Sequence, residues 1–165
     1  MTDLQKIITE LDKYSPKILT KYSGISEDRI IEFEQKLKYR LPEDFKNFLK
    51  VCNGFEIVSD IVYGIHPDDN KLDLYSNYLW EKDESGNPIF EHLLPISPNG
   101  FGDYYCLDLK TLDENYQNCN IIFWQHDYEF SADDQPEVDC KSFFEFIWEL
   151  LDDIKTRNHY DGRDK

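Results

Sequence analysis

Positive charge is scarce in this 165-residue sequence, in which 18 Lys and Arg stand against 34 Asp and Glu and give a formal net charge of −16. Nucleic acids and anionic membranes bind through Lys and Arg, so we expect neither to bind this chain directly. A surface this negative attracts basic proteins and speeds their encounter. The alternative is an acidic surface that only keeps the protein soluble.

Cysteines are few, and long apolar runs are missing. The four cysteines form no C-x-x-C pair and no zinc spacing with a histidine: Cys52, Cys106, Cys119 and Cys140. We therefore expect buried, reduced thiols, no metal and a cytoplasmic location. The N-terminal residues lack the basic start and apolar stretch of a signal peptide, and no segment has the length of a membrane span.

Motifs of catalysis are missing as well. In "NGFGDYYCLDL" a strand pattern follows Gly102, whereas a phosphate loop requires a helix there, so we interpret the glycines as a turn. His126 beside Asp127 could be a general base, but neighbouring strand residues point to opposite faces, which favours a structural or interface role. No serine or cysteine stands in a nucleophile motif. We predict neither an enzyme nor a cofactor.

Aromatic residues, in contrast, are abundant, with 11 Phe, 11 Tyr and 3 Trp. A chain of this length with so many large rings has enough apolar area for one well-packed core. We predict a single domain over residues 1–165, with its core at about 22–151 and a frayed tail at 156–165.

Helix signals dominate the N-terminal third of the chain. Ser26 is expected to cap a helix, because acids and a helical apolar stripe follow it. In "LPEDFKNFLKVCNG", Pro42 suits the first position of the next helix. The pair Asn53-Gly54 is expected to form the left-handed stop that ends this helix.

Strand patterns follow, and a helix closes the chain. Strands are predicted in "FEIVSDIVYGI", "HLLPIS", "GDYYCLDL" and "NIIFWQHD", while residues 66–88 form a polar excursion with a short helix around Leu72 to Trp80. Ser142 is expected to cap the last helix, with Asp139 as a competing start. This order indicates an α+β fold, in which a mostly antiparallel sheet is flanked by N-terminal helices and a C-terminal helix.

Several aromatic residues stand beside acids, as the anchors of protein interfaces do. The same rings could instead pack the 66–88 excursion onto the core. The residues that we predict to contact a protein partner are Asp73, Tyr75, Tyr78, Trp80, Glu81, Asp83, Glu84, Asp103, Tyr104, Asp127, Tyr128 and Glu129.

A set of spaced residues, in consistent order from about Tyr22 to about Leu151, resembles the SUKH superfamily, the Smi/Knr-type domain. In the N-terminal signature these are Glu34, Leu41, Pro42, Asp44, Phe45, Phe48, Leu49, Asn53 and Gly54. Further along they are Gly102, Asp103, Tyr105, Asp108, Trp124, His126, Asp127, Ser142, Phe143 and Phe146. The chain departs from the family at Phe55, where many members have a second glycine, and in the long acidic segment 66–88.

This resemblance implies an α+β fold and no known catalysis. Bacterial members are mostly immunity proteins that neutralise a toxin, often a nuclease, and fungal members regulate cell-wall synthesis. We therefore expect an immunity protein that covers the active site of a cognate basic toxin domain. The alternatives are a regulatory scaffold domain that has no toxin and an enzyme acting on a small substrate.

Overall fold

The computed structural model describes residues 1–158, which form five α-helices and seven β-strands. The helices are α1 (Asp3–Leu11), α2 (Glu27–Leu37), α3 (Glu43–Val51), α4 (Leu74–Leu79) and α5 (Phe143–Asn158). The strands are β1 (Leu19–Ser23), β2 (Cys52–Ile57), β3 (Asp60–Val62), β4 (Leu93–Pro98), β5 (Tyr104–Asp108), β6 (Asn120–Trp124) and β7 (Glu137–Cys140). A π-helical turn, Trp80–Glu84, continues α4.

The strands form two antiparallel sheets, in the orders β1-β2-β3 and β4-β5-β6-β7. The two sheets meet where β3 approaches β4: the Tyr63 amide donates to the Ile96 carbonyl at 2.8 Å, and the Ser97 hydroxyl donates to the Ile61 carbonyl at 2.6 Å. The predicted α+β class is confirmed, although the strands lie in two sheets.

Side-chain caps begin two of the helices as the sequence predicts. The Ser26 hydroxyl accepts from the Arg29 amide at the start of α2, and the Ser142 hydroxyl accepts from the Glu145 amide at the start of α5. Asp139 lies in β7, so the competing start at this residue is wrong.

The end of α3 differs from the prediction. Pro42 is the N-cap, one position before the helix, and α3 passes directly into β2, so Asn53 and Gly54 are strand residues and not a helical stop. Gly54 has a φ of +83°, and a Cβ there would lie 2.5 Å from the Val62 carbonyl oxygen. The glycine is therefore required by the close approach of β2 and β3.

Strands β1 and β7 were not predicted from the sequence. The described end of the chain differs as well: residues 156–158, which we expected to fray, continue α5. Arg157 anchors this turn, because its guanidinium lies 3.0 Å from Asp60 and 2.7 Å from Asp153. The rest of the predicted frayed tail, 159–165, lies outside the described residues.

The main core lies between the helices and one face of the sheets. Its centre is aromatic: the Phe143 ring makes edge contacts with Phe45 at 4.8 Å and with Phe48 at 5.0 Å. A smaller cluster, which includes Cys106 and Trp124, covers the opposite face of the four-stranded sheet. All four cysteines are buried and free. Within residues 1–158, no helix combines the length and the apolar character needed to cross a membrane.

Candidate functional site

The turn between β4 and β5 is built by the asparagine and glycines of "NGFGD". The Asn99 side chain accepts from the amides of Phe101 (2.8 Å) and Asp103 (3.1 Å), and Gly100 and Gly102 have φ values of +85° and +95°. This geometry confirms a turn that leads into a strand, as predicted. It leaves the Phe101 side chain 83% exposed at the tip.

His126 pairs with Asp103 and not with its sequence neighbour. Nδ1 of His126 lies 2.7 Å from Oδ1 of Asp103, and the same oxygen accepts from the His126 amide at 3.0 Å. The hydrogen bond to Asp103 raises the pKa of His126. Burial alone would raise the pKa of Asp103, but the hydrogen bonds with His126 and Asn99 and the charge of His126 together outweigh burial and lower it. The pair is therefore a charge-assisted hydrogen bond between two loops.

The π-helical turn packs against these loops. The Glu81 side chain is buried and hydrogen-bonds with the Tyr104 hydroxyl, while burial raises the pKa of Glu81. The Asn87 side-chain amide donates to the carbonyls of His126 (2.7 Å) and Tyr128 (2.9 Å). Segments 80–87, 99–104 and 125–129, which are distant in sequence, are thus joined at one end of the four-stranded sheet.

The surface of these joined segments is the acidic aromatic face. It presents three exposed rings, Trp80 (57% exposed), Phe101 and Tyr128 (51%). Its acids are Asp83, Glu84, Asp103, Asp127 and Glu129, all of which are exposed except the half-buried Asp103. Phe101 was not among the residues that we predicted from the sequence. The local signal for it is a large ring between two turn glycines.

Three of the predicted contact residues have buried side chains, which is a correction to their proposed role. Asp73 caps α4 through the Ser76 amide at 2.9 Å, and the Tyr78 hydroxyl donates to the Glu91 carbonyl at 3.0 Å. Glu81 is turned inward beneath the face. These buried side chains support the fold and lie outside the proposed contact surface.

Tyr75 lies apart from the acidic aromatic face. Its half-buried ring makes an edge contact with Phe33 at 6.3 Å, and the Lys36 ammonium lies 4.2 Å from the ring centroid. Tyr104 is half-buried below the face. The structure therefore brings together Trp80, Asp83, Glu84, Asp103, Tyr104, Asp127, Tyr128 and Glu129 and separates Tyr75 from them.

Two groups of side chains within residues 1–158 hold potential metal ligands within 4.8 Å of one another. One is Asp103, His126 and Asp127; the other is Asp139, Cys140 and Glu149. In the second group the Cys140 thiol is 3.1 Å from each carboxylate, and burial raises its pKa, which keeps it a thiol. Exposed acids often lie close together without an ion.

The two-sheet α+β fold carries a charged, ring-bearing surface at one end of the four-stranded sheet. The SUKH_6 family model, described as SMI1-KNR4 cell-wall, matches residues 27–147. The chain belongs to this family, as the resemblance in the sequence implied. Members are generally non-catalytic interaction domains and often act as immunity proteins.

A solved structure shows a similar fold. It is described as the crystal structure of a protein from Pseudomonas syringae pv. tomato, with a TM-score of 0.53 and 20% identity over 74% of this chain and 83% of that one. At this identity the likeness shows the fold alone. The comparison with curated proteins finds no match.

Proposed function

We propose that the chain is a cytoplasmic immunity protein that binds a basic toxin domain, such as a nuclease, and covers its active site. The observation that carries this proposal is the acidic aromatic face, where exposed rings lie among carboxylates. An acidic inhibitor occupies the groove in which a nuclease holds phosphates, and it needs no chemistry of its own to block substrate.

The construction of the face favours tight binding. Interfaces gain most of their energy from a few aromatic anchors. Trp80, Phe101 and Tyr128 come from three segments that Asn87 and the Asp103–His126 pair hold in place, so little order has to be gained on binding. The net charge of −16 then speeds the encounter with a cationic partner and makes the association rate fall with salt.

The test begins with the toxin gene expected beside this one. A secreted protein with a basic C-terminal domain should be encoded there, and that domain should kill cells unless this chain is co-expressed. Trp80→Ala is expected to weaken binding by more than about 1 kcal/mol, as loss of an interface anchor does. Trp148→Ala is the matched control, because Trp148 is also exposed (37%) but lies on α5.

Two results would overturn the proposal. Equal binding by the Trp80→Ala and Trp148→Ala variants would show that the acidic aromatic face is not part of the interface. If the purified neighbouring domain does not bind the chain at all, that domain is not its toxin partner.

The second candidate is a regulatory scaffold of Smi/Knr type, which the cell-wall description of the matched family favours. It predicts a cellular protein partner and no toxin gene nearby.

A further inference from the structure

A groove of about 830 Å³ lies on the outer face of the four-stranded sheet, beneath the segment that leads into β7. Its volume is in the range of small-ligand sites, roughly 300–1,000 Å³. Its floor includes Ile122, and its wall includes Pro136 and Val138. The groove shares no lining residue with the acidic aromatic face, so the two surfaces can be tested separately.

The groove contains a carboxylate that has no strong cationic partner. The Asp108 side chain is half-buried, and its Oδ1 lies 3.8 Å from Nε2 of His92, which is too long for a hydrogen bond. Burial raises the pKa of Asp108 and lowers the pKa of His92, so the histidine is neutral at pH 7. No Lys or Arg side-chain nitrogen in the described part of the chain lies within 4.0 Å of this carboxylate, which accepts from the Lys110 backbone amide at 3.3 Å.

A pair of stacked aromatic rings lies beside that carboxylate. The rings of Phe90 and His92 stack with centroids 5.5 Å apart and planes 15° apart. Edge contacts from Trp124 at 5.5 Å and Phe130 at 6.3 Å hold the Phe90 ring in place. The ring pair is therefore anchored to the smaller core.

The charges around the groove select a cation. Four carboxylates and one ammonium are in its lining: Glu91, Asp108, Asp133, Asp134 and Lys110. A guanidinium suits this lining better than an ammonium does, because it is planar, stacks on rings, is weakly hydrated and donates two parallel hydrogen bonds to one carboxylate.

We propose that this groove binds an arginine side chain of a protein partner, with the guanidinium paired to Asp108 and packed against the Phe90–His92 ring pair. The apolar part of the arginine side chain then lies against Ile122 and Val138, which are part of the lining. The site does not depend on the acidic aromatic face or on the identity of the toxin.

The probe is Nα-acetyl-L-arginine N-methylamide, titrated into the ¹⁵N-labelled full chain and followed by amide chemical shifts. Saturable shifts are expected at residues 108–111 and 132–138. The citrulline analogue, which has the same shape without the charge, should bind at least tenfold more weakly, and the lysine analogue about threefold more weakly. These comparisons use the wild-type protein and do not depend on a variant that folds.

Asp108→Asn should weaken arginine binding at least tenfold, and it keeps an oxygen to accept from the Lys110 amide as Asp108 does at 3.3 Å. Glu114→Gln is the matched control, because Glu114 is exposed and outside the groove. The proposal is overturned if citrulline binds as well as arginine, if Asp108→Asn binds as the control does, or if the shifts lie elsewhere. It is also overturned if free L-arginine binds more than tenfold more tightly than the capped compound, because the site is then for a metabolite.

Discussion

His126 and Asp103 lie 23 residues apart in sequence and form a hydrogen-bonded ion pair, with Nδ1 and Oδ1 separated by 2.7 Å. The pair joins the turn before β5 to the loop after β6, at the end of the sheet where Tyr104 pairs with Trp124. Two loops that carry exposed rings are thereby held in a defined relation.

Asp103→Asn is expected to lower the pKa of His126 toward its ordinary value of about 6.5, because the hydrogen bond to the carboxylate is the main cause of the raised value. The measurement is an NMR titration of the His126 ring. Replacing Asp127, which contributes less, should change the pKa by a smaller amount. An unchanged His126 pKa in Asp103→Asn would contradict the structure.

The same pair predicts a window of pH in which it stabilises the loops. The contribution of His126, whose folded pKa is raised, is full below about pH 6.5 and is lost as pH rises through the folded pKa. The contribution of Asp103, whose folded pKa is lowered, is present above about pH 3.8 and is lost as pH falls through the folded pKa. The protection of the amides of residues 99–103 from hydrogen exchange, relative to their intrinsic rates at each pH, should therefore be greatest between these limits.

Gly102→Ala is expected to destabilise the fold more than Gly100→Ala does. Both glycines have positive φ, so both variants carry the same kind of backbone strain, about 1 kcal/mol. A Cβ at Gly102 would also lie 2.9 Å from the His126 ring, whereas at Gly100 nothing lies within 4 Å. Urea denaturation of the two variants measures the difference, and equal stabilities would show that the ring moves aside without cost.

Asp44 is expected to make stability fall as pH rises. Its buried carboxylate accepts from the Phe143 amide at 3.1 Å, and burial raises its pKa to about 7. Between about pH 3.8 and 7 the folded protein holds a proton that the unfolded chain releases, so the free energy of unfolding decreases with pH in this interval. Asp44→Asn, compared with the wild type by urea denaturation at pH 5 and pH 8, should show a smaller decrease; an equal decrease would contradict the assignment.

Phe143→Ala and Phe101→Ala should separate stability from binding. Phe143 is fully buried among phenylalanines, so its loss is expected to cost about 3–5 kcal/mol of unfolding free energy. Phe101 is 83% exposed, so its loss should change stability by less than about 0.5 kcal/mol. Under the proposed function only Phe101→Ala weakens toxin binding without loss of stability, as calorimetry of the folded variants would measure. Unchanged binding by this variant would show that Phe101 does not contact the toxin.

Elements with strong local signals could be predicted from the sequence. The caps at Ser26 and Ser142 are confirmed, because a cap depends on its neighbours in the chain. Strand β7 was missed because three of its four residues are exposed and carry no apolar pattern; its place is set by pairing with β6. The pair Asn53-Gly54 was misinterpreted as the end of α3. Gly54 lies in β2 instead, where the close approach of β3 leaves no space for a side chain.

The candidate site was predictable only in part, because residue type alone does not tell a buried side chain from an exposed one. Trp80, Tyr128 and the acids near them were identified by composition, but the same rule chose Tyr78 and Glu81, which are buried. Phe101 was missed, and the Asp103–His126 pair was not foreseen, since nothing local to either residue specifies the other.

By itself the sequence determined the fold class, the family, the helix caps and the negative charge, because these depend on residue types and on spacing along the chain. Tertiary structure alone decided which rings are exposed, which carboxylates are buried and which loops share one end of the sheet. These properties depend on contacts between residues far apart in sequence, and burial depends on everything that packs around a side chain.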